Sequence, residues 1–278
     1  MSYKRVLTIQ DISCVGQCSL TVALPIISAC GIETCVLPSA VLSTHTAGFK
    51  GYTFRDLSDD MPQIIKHWEK EGIKFDTIYT GYLGSTKQVD YVMDIFKACT
   101  KNGSHKVVDP AMADNGRLYP GFNMDFVKAM KSLCVQADYV LPNITEACFL
   151  TGIEYRGEGE YDREYIDRLI GLLSTMGCKN IILTGVSYTC GKTGIVVFEN
   201  GTYSYYEHAK LPNSCHGTGD IYASAFVGAL TRGKSAYESA KIAADYAVEC
   251  IKETAKIDDH WYGAAFEPAL PTLIELLK

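Results

Sequence analysis

The run Arg5-Val-Leu-Thr-Ile-Gln10 is apolar on both of the faces that a β-strand presents. Such a strand belongs in a parallel sheet covered by helices on both sides. Helix-like Gly16 to Ala29 follows, Gly31 stops it, and Glu33-Thr-Cys-Val-Leu37 reads as a second strand. A βαβ unit this early sets the class as α/β. The rest keeps the alternation. Helices are expected over 61–70, 86–99, 123–135, 142–152, 161–176, 221–230, 236–253 and 268–277, and strands over 76–80, 105–110, 137–141 and 180–184. Gly194–Phe198 and Thr202–Tyr206, joined through Asn200-Gly201, read as a hairpin. Polar, glycine-rich Ser43–Thr53 is either a surface loop or an edge hairpin over a pocket. No repeat or linker interrupts the pattern, so residues 1–278 are expected to form one domain.

Composition narrows the partners. The net charge is −6, with no basic block to neutralise phosphates, which argues against nucleic acid and anionic membranes. The eleven cysteines form no C-x-x-C pair, so a disulfide framework or zinc site is not expected, and free thiols point to a reducing cytoplasm. The apolar run after Arg5 is broken at Gln10 and Asp11, unlike a signal peptide. Leu20–Leu42 is interrupted by Pro25, Gly31, Glu33 and Pro38, unlike a membrane span.

The chemistry concentrates in Ser214-Cys-His-Gly-Thr-Gly-Asp220. It follows the turn signal Leu211-Pro212-Asn213 and leads into the small-residue helix from Ile221. Gly217 and Gly219 let successive backbone N–H groups turn toward one point at a helix N-terminus, where they lack helical partners and carry partial positive charge. Asp220 stands at the edge of that anion site. Phosphoryl transfer to an alcohol needs this pair, donors for the transferring group and a carboxylate to orient the hydroxyl and take its proton. A plain tight turn with an acidic first helical turn would look the same. Elsewhere, Asp109 ends a strand where open α/β sheets bind ligands, and Asn143-x-x-Glu146 reads equally as a capping box.

Taken together, the strand ending in Gln10-Asp11, Asp109-Pro110, Asn143-x-x-Glu146, the strand ending at Thr184 and Gly217-Thr-Gly-Asp220 resemble the ribokinase superfamily. Ile9-Gln10, Ser43-Thr-His-Thr46, Thr80-Gly-Tyr82 and Ala137-Asp with Pro142-Asn resemble its pyridoxal (vitamin B6) kinase branch. The resemblance covers nearly the whole chain. It implies a three-layer α/β/α sandwich around a mostly parallel sheet, ATP as donor, and Mg²⁺ with a possible monovalent cation such as K⁺. It implies Asp220 as the base facing the 5′-hydroxymethyl group of a B6 vitamer, with Gly217, Thr218 and Gly219 forming the anion hole. Asp109 and Glu146 would act on metal and phosphates through water, supported by Asn143, with Asp114 near the γ-phosphate. Thr184 would contact ATP, and the connection from Tyr206 to Asn213 would lie near the adenine. His45 and Thr46 would line the pyridine pocket and Tyr82 would pack on the ring. Homodimerisation is likewise implied only by the family.

Two features depart from that pattern. Pyridoxal kinases usually carry a serine where this chain has Asp11, which here is expected to touch the ring's polar edge and tune vitamer preference. The loop from Ala111 to Gly121 is short. Cys215 reads either as a small buried hydrophobe or as a thiolate, favoured by the helix N-terminus, that adds to an aldehyde substrate. Rival readings are a hydroxymethylpyrimidine kinase, whose relatives often carry cysteine in place of Asp220, and a non-catalytic binder. A Rossmann dehydrogenase lacks its G-x-G-x-x-G here.

Overall fold

The computed structural model describes residues 3–212 and 215–278, so the expected turn at Asn213 and the start of the glycine motif at Ser214 lie outside the described residues. The chain runs β1 (Arg5–Ser13), α1 (Leu20–Ala29), β2 (Glu33–Leu42), β3 (Phe54–Asp56), α2 (Met61–Lys70), β4 (Phe75–Thr80), α3 (Thr86–Cys99) and β5 (Thr100–Val108). It continues with β6 (Ala113–Asp114), β7 (Arg117–Leu118), α4 (Met124–Gln136), β8 (Tyr139–Val140), α5 (Ile144–Thr151), α6 (Arg163–Met176) and β9 (Asn180–Val186). Strands β10 (Lys192–Glu199) and β11 (Thr202–Ala209) precede α7 (Thr218–Thr231), α8 (Ala236–Thr254) and α9 (Leu270–Leu276).

Nine strands form one sheet in the order β11-β10-β9-β8-β5-β4-β1-β2-β3. The six from β9 to β2 are parallel, and antiparallel strands close both edges. Two apolar clusters explain the three layers. Met61, Val92, Met130, Ala147 and Ile170 bring α2 to α6 onto one face, while Ile26, Phe226, Ala243 and Leu273 bring α1, α7, α8 and α9 onto the other. Tyr79 and Phe226 are among the largest wholly buried side chains. Successive strands step one way from β1 to β2 and the other way from β4 to β9. The chain therefore reverses direction between β1 and β4, where open α/β sheets leave a crevice at the strands' carboxyl ends.

The hairpin forms as expected, with Asn200 and Gly201 both at positive φ and Glu199 opposite Thr202. Ser43–Thr53 is the connection of an edge hairpin, because β3 pairs antiparallel with the end of β2. The first helix starts at Leu20, not Gly16, since Gly16 at φ 107° and Ser19 at φ 57° break helical geometry. Strand β5 begins at Thr100, earlier than expected.

Candidate active site

Glycine at 217 is required by geometry. It caps α7 at φ 79°, and a Cβ there would meet the Gln17 carbonyl oxygen at 1.9 Å. That close approach seats the start of α7 on the loop between β1 and α1. The Ile221 N–H makes the first helical bond, to Gly217, and no described side chain caps the N–H groups before it. A Cβ on Gly219 would meet nothing within 4 Å. Among the described residues nothing accepts these N–H groups and nothing crowds Gly219, so the helix start suits an anion. The opposite side is braced where Ala264 N–H donates to the His216 carbonyl at 3.0 Å.

Asp220 lies in the first turn of α7, partly buried. Its Oδ2 accepts the Ser19 backbone N–H at 2.9 Å. Burial pushes its pKa up to about 7, the charge of Asp11 adds, and the Ser19 bond opposes. A carboxylate so placed is poised to exchange a proton near neutrality. Asp11, at the end of β1, is 5% exposed and also bound to Ser19, whose hydroxyl donates to Oδ1 at 2.6 Å while Ser13 donates to Oδ2 at 3.0 Å. Ser19 holds φ 57° and ψ −130°, a conformation that costs a non-glycine residue about 1–3 kcal/mol.

A second acidic group completes the crevice floor. Asp109 follows β5, its N–H bonded to the Thr80 carbonyl. Its carboxyl is raised well above the usual range by burial and by Glu146 and Asp220. Glu146 is buried, and the capping box with Asn143 is present. Oε2 accepts the Asn143 N–H at 2.9 Å and Oε1 the Met112 N–H at 3.1 Å. Burial outweighs these bonds and lifts Glu146 to about 7. Asn143 donates to the Ala113 carbonyl, fastening α5 to the β6–β7 turn, and pairs beside Thr184, whose N–H donates to Pro142. Asp114 stands exposed on β6. No Lys, Arg or His among the described residues pairs with Asp11, Asp109, Asp114, Glu146 or Asp220. Glu146, buried, and Asp109, half-buried, have no cationic partner among the described residues and suit a cation. Among the described residues no cluster of three or more His, Cys, Asp or Glu exists that could cage one. Two carboxylates with outer ligands from water and phosphate fit Mg²⁺, which keeps its hydration shell.

The structure brings most sequence candidates together. Tyr82 follows β4, stacks on Phe122 with centroids 5.5 Å apart, and has its phenol pushed up to about 12 by burial, with Asp11 and Tyr52 adding. His45 is near the crevice but fully engaged. Its Nδ1 accepts the Ala47 N–H and its Nε2 faces the Tyr262 carbonyl, which fixes the Nε2–H tautomer. His45 is thereby a strut between the 43–53 connection and the 260–264 segment, and Thr46 beside it is exposed. Cys215 packs against the second core, and burial pushes its thiol up, opposite to a poised thiolate. Two site residues escaped the sequence reading. Ser19 carries no local signal. Tyr119 lies in the loop after Asp109, and its phenol is raised first by burial and then by Glu146, Asp109, Asp114 and Asp220 together, which puts it among the acidic groups.

The fold and site define a kinase of the ribokinase-like class. The chain belongs to the phosphomethylpyrimidine kinase family, whose model matches residues 24–264. It is 31% identical to pyridoxal kinase from Lactobacillus plantarum, with a TM-score of 0.91 over 99% of this chain and 98% of that one. A Bacteroides thetaiotaomicron structure with pyridoxal, assigned provisionally to the phosphomethylpyrimidine kinases, is 36% identical with a TM-score of 0.91 over 98% and 96% of the two chains. Pyridoxal kinase of Dictyostelium discoideum is 27% identical over 81% of this chain and 77% of its own length.

Proposed function

We propose that this chain is an ATP-dependent kinase that phosphorylates the 5′-hydroxymethyl group of pyridoxal, pyridoxine or pyridoxamine. The observation that carries the reading is the partly buried Asp220 beside the uncapped, glycine-lined start of α7. Asp220 takes the proton of the acceptor hydroxyl while the N–H groups of Thr218 and Gly219 hold the γ-phosphoryl as charge develops. Gly217 admits that approach.

The donor side lies across the crevice. Asp109 and Glu146 would hold Mg²⁺, which when bound would offset the charge that a polyanionic donor brings to an acidic crevice. Asn143 and Thr184 fix the strand ends beneath the phosphates, and Asp114 and Tyr119 flank them. On the acceptor side Tyr82 supplies the flat wall, with His45 and Thr46 beside the ring pocket and Asp11 behind it, bonded to Ser19 and Ser13. The two pyridoxal kinase relatives and the neighbour solved with pyridoxal support a B6 vitamer over other acceptors. Hydroxymethylpyrimidine is the second reading, favoured by the family model that matches. The assignment extends to a homodimer in a reducing cytoplasm, on family resemblance and on eleven free thiols, and residues 1–278 are taken as one domain.

A coupled ADP-release assay with Mg-ATP tests the reading on pyridoxal, pyridoxine, pyridoxamine, hydroxymethylpyrimidine and ribose side by side. Turnover on a vitamer is expected. Turnover confined to the pyrimidine would move the protein to the second reading, and none on any acceptor would overturn both.

A further inference from the structure

Asp11 and Asp220 belong to different ends of the chain, yet one residue holds both. Ser19 donates its backbone N–H to Asp220 Oδ2 and its hydroxyl to Asp11 Oδ1, at 2.9 and 2.6 Å. The Ser13 hydroxyl takes the other oxygen of Asp11. Asp11 is buried and points both oxygens at hydroxyl groups of its own loop. Ser19 keeps a left-handed, non-helical backbone just before α1, and its side chain makes no cap for that helix. A helix start without a capping bond, at a strained serine, is poor local design. The conformation is accounted for by what the two donors reach.

We infer that Ser19 and Asp11 are positioning residues, a clamp that fixes the rotation of the Asp220 carboxylate so that Oδ1 faces the acceptor hydroxyl. Asp11 anchors the Ser19 hydroxyl, the anchored serine aims its N–H at Oδ2, and that bond leaves one oxygen of Asp220 for the proton transfer. This assigns Asp11 an action through Ser19 and not on the vitamer ring. The inference rests on the proposed role of Asp220 as base.

Substitutions separate the clamp from a stabilising contact. Ser19→Gly keeps the N–H and suits the positive φ, so its melting temperature should not fall. Loss of the anchor should nevertheless lower kcat about tenfold, since a small misplacement of a catalytic group is costly. Asp11→Ala should lower kcat by about 10- to 100-fold with the vitamer KM within about twofold of wild type. Asp11→Asn, which can still accept the Ser19 hydroxyl, should recover most of that loss. A vitamer-dependent rise in KM for both Asp11 variants would place the side chain on the ring and overturn the clamp. So would wild-type kcat in Asp11→Ala, or activity that simply tracks melting temperature.

The Ser19 amide proton, read by NMR in serine-labelled protein, gives a measure free of turnover. Bonded to a carboxylate it should resonate downfield, and it should move upfield in Asp220→Ala and Asp11→Ala. Failure of wild type on every acceptor would remove the functional reading, while an unmoved amide resonance would remove the clamp.

Discussion

Replacing Asp220 by asparagine should stabilise the free protein at alkaline pH while abolishing its chemistry. Asparagine is isosteric and can still accept the Ser19 N–H, so the perturbation removes charge and little else. The folded-state pKa is raised from 3.8 to about 7 by burial. For a carboxyl raised on folding, the folded state holds its proton where the unfolded state has lost it. Stability therefore falls as pH rises from about 4 and levels off above about 7. Between pH 5 and the folded pKa the wild type loses about 1.36 kcal/mol per unit, or about 2.7 kcal/mol in all, and the partial exposure of Asp220 reduces this to about 1–2 kcal/mol. Asp11 and Glu146 titrate in both proteins, while loss of the Asp220 charge also relieves Asp109, which adds with the same sign. Urea unfolding of metal-free wild type and Asp220→Asn at pH 5 and pH 8 reads the double difference directly. The variant should gain about 1–2 kcal/mol over wild type on going from pH 5 to pH 8. An unchanged difference, or one of opposite sign, would refute a base held at raised pKa by burial.

Other outcomes follow from the same geometry. The acid limb of kcat/KM should report an apparent pKa near 7 and vanish with Asp220→Asn, which should lose about 1,000-fold or more in kcat. The glycines should behave oppositely. Gly217→Ala, at φ 79° with its Cβ 1.9 Å from the Gln17 carbonyl, should cost about 2–4 kcal/mol in urea unfolding. Gly219→Ala meets nothing and should leave stability within about 0.5 kcal/mol, yet raise the KM for ATP by placing a methyl in the anion site. Cys215→Ala should affect pyridoxal and pyridoxine alike, because its thiol is raised by burial and packs against the core; selective loss of pyridoxal would restore an aldehyde-trapping role.

What the sequence made legible was local. Buried strands announced themselves as apolar runs, the Asn200-Gly201 turn by residues that accept positive φ, and Asp109 by its place at the end of an expected strand. The motif 217–220 was readable because its glycines and its helix are adjacent in sequence. Glu146 shows where local reading divides: the capping box expected from its spacing is present, and the same carboxylate is buried beside Asp109. Contacts across the chain were not legible. Ser19 meets Asp220 across a sequence separation of 201, and nothing in Cys-Ser-Leu-Thr signals a left-handed serine. Edge strand β3 is exposed at every residue and so carries no alternation to read. The role of His45 as a strut depends on the distant Tyr262 carbonyl.

The central claim is an acceptor deprotonated by Asp220 at the anion site of α7. Mass spectrometry of the product from pyridoxal and Mg-ATP, with wild type and Asp220→Asn run in parallel, tests it most directly. Pyridoxal 5′-phosphate from the wild type and none from the variant is the predicted result. Comparable product from both would show that the proton leaves by another route and would contradict the account.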